Sequence, residues 1–147
     1  ETGIFTWIKA RRGTKINTIA GNITSHGYVS IMIDKKNYYG HRLAWLYMIG
    51  EWPKNDAEHK DLNKSNNIWN NLREGTRSQN MMNVGSRKNN TSGYKRVYWN
   101  KMLSKWVAEI MIDYKKKFLG SFNTKKDAAK AYEDAAKRYH KEFARLN

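Results

Sequence analysis

Cysteine is absent from the 147 residues. Disulfides and thiolate-bound zinc are thereby excluded, and a reducing compartment is acceptable to the chain. Acidic side chains are scarce: 13 Asp and Glu stand against 28 Lys and Arg, a net charge of +15. The excess is not confined to a tail. Residues 1–90 carry 14 basic and 7 acidic side chains, and residues 91–147 carry 14 and 6. Charge of one sign at this density attracts polyanions over a Debye length, which favours nucleic acid or an anionic surface as partner. The plainer reading is a solubilising surface. Also missing is any apolar run near the roughly 18–20 residues that a membrane-spanning helix needs. No secretory signal is visible, and the chain begins at Glu1 rather than Met, consistent with a missing upstream piece. Aromatics at 13% supply bulk for small cores and argue against disorder.

What is present falls into three stretches. The first third reads as short strands and turns. Residues 3–8 are β-rich, and a basic stretch around Arg11-Arg12-Gly13 follows. Residues 27–34 alternate, with Lys35-Lys36-Asn37 as the turn into Tyr38-Tyr39. Leu43–Ile49 predicts a short helix that stops at Gly50, with Pro53 beyond. Residues 54–83 are polar and rich in Asn. Thr76-Arg77-Ser78-Gln79 matches a capping box, so a helix is expected from Thr76 to about Asn83. Gly85–Gly93 is a turn-forming basic connection, and the domain boundary is read there, between 86 and 87. The last third offers strands at Tyr94–Asn100, Lys105–Asp113 and Lys115–Phe122. A helix from about Lys125 to His140 follows, with Thr124 as its N-cap.

The segment Glu58–Asn80 carries the chemistry. Glu58-His59 stands at an expected strand end, Asn71 follows twelve residues after His59, and Asn80 nine residues later on the capped helix. A hard cation such as Mg²⁺ takes oxygen ligands, here a carboxylate and an amide carbonyl, and keeps positions for water and phosphate. Histidine titrates near neutrality, so one beside that cation can take a proton from an attacking water. Each member alone is weak. A Glu-His pair is usually a surface accident, and five asparagines between Asn63 and Asn71 are ordinary loop formers.

Order and spacing together resemble the HNH motif of phage and intron homing endonucleases. That resemblance implies a ββα-metal fold, two strands and a helix around one metal. It implies His59 as general base, Asn71 as the residue that orients the histidine and steadies the loop, and Asn80 as a metal ligand. His41-Arg42-Leu43 resembles the family's lead-in, with a structural role for His41. One departure is plain: the family's Asp before the base is Glu58 here. Its extra methylene displaces the carboxylate by about a bond length, and octahedral Mg²⁺ tolerates little displacement. Glu58 is kept as the metal ligand beside Asn80; a shifted or weaker site and a low-activity variant are the alternatives, with Asp56 and Asp61 as nearby acids that could partly substitute.

In the last third, Trp106, Ala108, Ile110 and Ile112 alternate toward one face, and Ala128, Ala131, Tyr132, Ala135 and Tyr139 share a helical stripe to cover it. The other sheet face is left open, edged by Lys95, Arg96, Lys101, Lys105 and Lys115–Lys117. Such a face suits a DNA groove, with Lys and Arg on phosphates. The segments Tyr94–Trp99, Lys105–Ile110, Phe118–Phe122 and Asp127–Tyr132 resemble the plant ethylene-response-factor (Apetala-type) DNA-binding domain. By position the resemblance implies Lys95, Tyr98, Lys105, Glu109, Met111, Lys116 and Phe118 on the DNA-facing surface. The plant domains prefer Arg and Trp at several of these places. Neither Lys nor Met forms the bidentate fork of Arg with guanine, so their specificity does not transfer.

The expectation is therefore an α+β protein. Residues 1–86 form an N-terminal ββα-metal (HNH) nuclease domain with its motif at 57–83. Residues 87–147 form a three-stranded antiparallel sheet packed on one helix. The cofactor expected is one divalent metal, Mg²⁺ first and Mn²⁺ second, and not zinc. The partner expected is double-stranded DNA, with no membrane, and the chain acts as a monomer or weak dimer in the cytoplasm of a bacterium or phage-infected host. The rival is a non-catalytic DNA-binding protein in which Glu58 marks a degenerate metal site; structured RNA is a weaker alternative.

Overall fold

The structure is a computed structural model, which describes residues 2–10, 13–86 and 89–146. The basic pair Arg11-Arg12 and the boundary read between 86 and 87 fall on residues outside that set. Contacts divide the chain into two compact units, Glu1–Thr76 and Arg77–Asn147.

In the first unit, strands β1 (Asn22–Ile23), β2 (Val29–Ile33) and β3 (Lys36–Tyr39) form one antiparallel sheet in that order. Asp34 and Lys35, at φ 48° and 63°, make the β2–β3 turn. The expected turn at Lys35-Lys36-Asn37 is thus one residue off. A two-residue loop with both φ positive matches the strand twist, which frees Lys36 and Asn37 to pair with Ile33 and Met32. The β-rich residues 3–8 form no strand; they are held by a single bridge, Thr6 to Ile19, with backbone bonds such as Ala20 N–H to the Phe5 carbonyl at 2.8 Å.

Helix α1 (Gly40–Ile49) begins directly after β3, earlier than the apolar run suggests. Gly50 closes it, its N–H on the Leu46 carbonyl at 2.8 Å. Strands β4 (Asp56–His59) and β5 (Leu72–Gly75) pair antiparallel, with Glu58 opposite Arg73 and His59 opposite Leu72. The apolar core of this unit is small: Ala20, Ile31, Ala44 and Leu72 are buried, and Trp45 tilts against Trp69 at 5.0 Å.

The second unit opens with α2 (Arg77–Asn83), which follows β4 and β5 along the chain. Strands β6 (Val97–Asn100), β7 (Lys105–Ile112) and β8 (Lys115–Phe122) form an antiparallel sheet, and α3 spans Lys125–His140. The Thr124 hydroxyl accepts the Asp127 N–H at 3.1 Å, the cap expected of it. Val97, Ala108 and Ile110 pack against Ala128, Ala129, Tyr132, Ala135 and Ala136, flanked by Trp106, Ile112, Phe122 and Tyr139. The alternation along β7 is the expected one. On α3 the stripe is turned slightly: Ala129 and Ala136 join the core where Ala131 was expected.

Candidate active site and nucleic-acid surface

His59 ends β4 and is 5% exposed. The ring lies edge-on to His41 at 5.0 Å between centroids and tilted to Tyr28 at 6.1 Å. His59 Nε2 and Asn67 Oδ1 are 3.0 Å apart, and an amide oxygen only accepts, so Nε2–H is the donor. Asn67 is itself 2% exposed.

The chain between β4 and β5 is polar because it is built from side-chain-to-backbone bonds. Asn71 Nδ2 donates to Asp61 Oδ1 at 2.9 Å and to the Asn66 carbonyl at 2.8 Å, while Asn71 Oδ1 accepts the Asp61 N–H at 3.1 Å. Asp61 also accepts from Asn66 Nδ2 and from the Asn63 N–H, each at 2.8 Å. Burial pushes the Asp61 carboxyl up, but these hydrogen bonds outweigh it and hold the group below its ordinary value. Asn71 thus ties together backbone and side chains at both ends of the loop. The bond to the histidine ring comes from Asn67, where the sequence reading put Asn71. Asn67 and Asp61 were legible only as members of an Asn-rich stretch, since nothing in their spacing separates them from neighbouring loop formers.

His41, from the second residue of α1, is 6% exposed and stacks on Tyr39 at 5.6 Å. Burial first, then the charges of His59 and Arg42, push its pKa down to about 4. The ring is therefore neutral near pH 7, which suits packing against His59 rather than proton exchange.

Glu58 sits beside His59 with its carboxylate against Arg73, Oε1 to Nε 2.5 Å, both side chains largely shielded. The sequence reading missed this pairing, although the register that sets Glu58 opposite Arg73 produces it. Glu58 offers carboxylate oxygens of the kind a hard divalent cation takes, and the Arg73 guanidinium holds one of them here, so a cation would compete with Arg73 for the group. Among the described residues no three His, Cys, Asp or Glu side chains cluster as a metal-holding group. A site of one carboxylate and one amide would not form such a cluster. Asn80 lies on α2, in the second compact unit.

Across the open face of the second unit, Tyr98, Lys101, Lys105, Lys116 and Phe118 are exposed, and Arg96, Glu109 and Met111 are half-buried. Lys116 reaches Glu109 at 4.0 Å. Val107 on β7 is buried between Tyr98 and Ser121 on the flanking strands. Lys95 stands apart. It is 8% exposed, its Nζ donates to the Met82 carbonyl at the end of α2, and burial with the charges of Arg96 and Arg145 pushes its pKa down to about 8. Its ammonium serves the interior of the unit.

Residues 38–82 match the family model of HNH endonucleases. The match runs from β3 to α2 and takes in His41, Glu58, His59, Asn71 and Asn80. It supports an HNH nuclease domain, a class that hydrolyses phosphodiester bonds, generally uses a divalent metal and has DNA as substrate. No curated protein and no solved structure gives a match. No helix among the described residues is long and apolar enough to cross a membrane.

Proposed function

We propose that this chain is a metal-dependent DNA endonuclease of the homing type, with His59 as general base. The observation that carries the reading is His59 itself: a buried ring, hydrogen-bonded through Nε2 and packed by His41 and Tyr28, within the segment that matches HNH endonucleases. General-base catalysis of this kind contributes about 10²–10⁴-fold. Glu58, and by its place in the motif Asn80, would hold the metal, Mg²⁺ or Mn²⁺. When bound, the cation offsets charge on the scissile phosphate and the departing 3′ oxygen. Asn71 keeps the loop closed, so that β4 and β5 hold Glu58 and His59 side by side.

The sheet face of the second unit is the proposed DNA surface, in the manner of the Apetala-type domain. Lys101, Lys105, Lys116 and Arg96 meet phosphates, while Tyr98, Glu109, Met111 and Phe118 face the bases. Lys95, assigned to this surface by position, supports it from inside. One motif supplies one base and one metal, so a single encounter nicks one strand. The work is placed in the cytoplasm of a bacterium or phage-infected cell.

A second reading is favoured by one observation, the Glu58–Arg73 ion pair. If the guanidinium keeps the carboxylate from a metal, the chain is a DNA-binding protein with a degenerate site. Supercoiled plasmid incubated with Mg²⁺, Mn²⁺ or EDTA decides between them. Metal-dependent open circles that vanish with His59→Ala support the nuclease. Gel retardation without cutting under any metal overturns it and leaves the binder.

A further inference from the structure

The second unit holds a cavity of about 220 Å³. Its walls are apolar and adaptable: Met81 and Met82 of α2 and Met111 of β7, with the buried Tyr132 and His140 of α3. Two hydrogen bonds tie those walls together. Lys95 Nζ donates to the Met82 carbonyl, and His140 Nε2 donates to the Met111 carbonyl at 2.8 Å. A pocket fixed in this way is formed before a ligand arrives, and its volume lies below the roughly 300–1,000 Å³ of sites for drug-sized molecules. The guest is therefore small.

The rim is of another kind. Arg77 and Arg96 bring two guanidinium groups to it, and Tyr114, 66% exposed, lies in the turn between β7 and β8. Arg96 has φ 59°, and Asp113 and Tyr114 have φ 46° and 63°. Asp tolerates the left-handed region, but Arg and Tyr take it at a cost that Gly or Asn would avoid. Two such residues around one cavity mark a place where side-chain chemistry outweighs backbone preference.

We propose that this cavity takes one unstacked nucleotide, its base among the methionines and against Tyr114, its phosphate on Arg77 and Arg96. Thioether groups pack well on aromatic rings, and any base stacks on an exposed tyrosine. Guanidinium forks match phosphate oxygens in pairs. Asp113, the one carboxylate among the described lining residues, only accepts hydrogen bonds and suits the exocyclic amino group of a base. An aliphatic anion would leave the tyrosine ring unused, and an apolar molecule would leave both cations unused. Met111 belongs also to the proposed DNA surface, so the expected guest is a nucleotide turned out of DNA held on that face. To that extent the inference rests on the DNA-binding reading.

Deoxycytidine 5′-monophosphate titrated into the full chain, with ¹³C-labelled methionine methyls, tests the site. Met81, Met82 and Met111 should shift together and saturate, while Met32 and Met48 of the first unit stay in place. Tyr114→Gly removes the ring and suits the backbone of the turn, so it is expected to fold as well as wild type. It should weaken the nucleotide about 5- to 100-fold, and Tyr114→Phe should not. Arg77→Gln with Arg96→Gln should weaken the nucleotide but not deoxycytidine. A duplex with a one-nucleotide bulge should bind more tightly than its matched form, and Tyr114→Gly should erase the difference. Shifts that inorganic phosphate alone reproduces, shifts that never saturate, or equal nucleotide binding by Tyr114→Gly and wild type overturn the proposal. Saturating shifts without any gain from the bulge keep the site and make its guest a free nucleotide. A chain that retards no duplex yet shows the shifts fails the DNA-binding reading and keeps the site. One that retards duplex and shows no shifts keeps that reading and loses the site.

Discussion

Along β7 every second side chain passes beneath α3, and the core is assembled from Ala, Ile, Val and aromatic groups that need only alternate correctly. Between β4 and β5 almost nothing alternates, and the chain is held by amide and carboxylate groups that bond back to the backbone. In the sheet unit the free energy is spread over many apolar contacts that need shape and alternation rather than one particular residue. In the loop it is concentrated in a few polar nodes. A node takes several hydrogen bonds with it when it is lost. The two regions therefore differ in what they require of sequence: one needs a pattern, the other needs particular residues.

The largest test of that difference is functional. His59→Ala is expected to lower metal-dependent cleavage by about 10²–10⁴-fold while gel retardation of DNA stays within a factor of two or so. Conversely, Lys101→Ala with Lys105→Ala and Lys116→Ala should weaken retardation and flatten its salt dependence, since each lost phosphate contact removes about one unit of the log–log salt slope. If His59→Ala abolishes binding, or the lysine variants leave the salt slope untouched, recognition and chemistry are not divided between the regions as proposed.

Next in size is a core truncation. Ile110 is fully buried in the cluster of β7 and α3, so Ile110→Ala should cost about 2–5 kcal/mol, read from urea unfolding followed through the sheet unit's amide signals. A loss under 1 kcal/mol or so would mean that this core is looser than its packing implies.

The same division decides how much was legible beforehand. The period of two along 105–112 and the small-residue stripe on α3 follow from elementary geometry, and strands, helix and cap were found within a few residues. The motif from Glu58 to Asn80 was legible as order and spacing. Invisible was anything that depended on which polar groups meet. The amide reaching His59 belongs to Asn67, because the loop bends there and two glycine backbones close on it. Arg73 meets Glu58 because of strand register. Lys95 turns inward to a helix-end carbonyl, although a lysine in a basic, strand-flanking segment reads as surface. Residues 3–8, β-rich by composition, lack a partner strand long enough to make them one.

A pH test probes the site region alone. His41 in the folded chain has its pKa pushed from 6.5 down to about 4, mainly by burial. Between those values the unfolded chain holds a proton that the folded one does not, so folding stability is complete above pH 6.5 and falls as pH drops toward 4. The full loss is on the order of 3 kcal/mol. Urea midpoints measured at pH 7, 5.5 and 4.5 should decline in wild type and decline less in His41→Gln. Parallel declines in the two proteins would remove His41 as the cause.

The smallest effect sharpens the comparison most, because it sets one kind of bond in two surroundings. Thr124 and Asn71 each offer a side-chain oxygen to a backbone N–H, of Asp127 and of Asp61, at 3.1 Å. Thr124 is an exposed cap whose loss leaves water to satisfy the helix end, so Thr124→Ala should cost about 1 kcal/mol. Asn71 also donates to Asp61 and to the Asn66 carbonyl, so removing it strips three bonds from one junction. Asn71→Ala should therefore cost about 2–3 kcal/mol and broaden the amide signals of residues 60–71 ahead of global unfolding. Equal costs at the two positions would mean that the loop is held by its backbone after all. The contrast between a patterned core and a loop of polar nodes would then have to be given up.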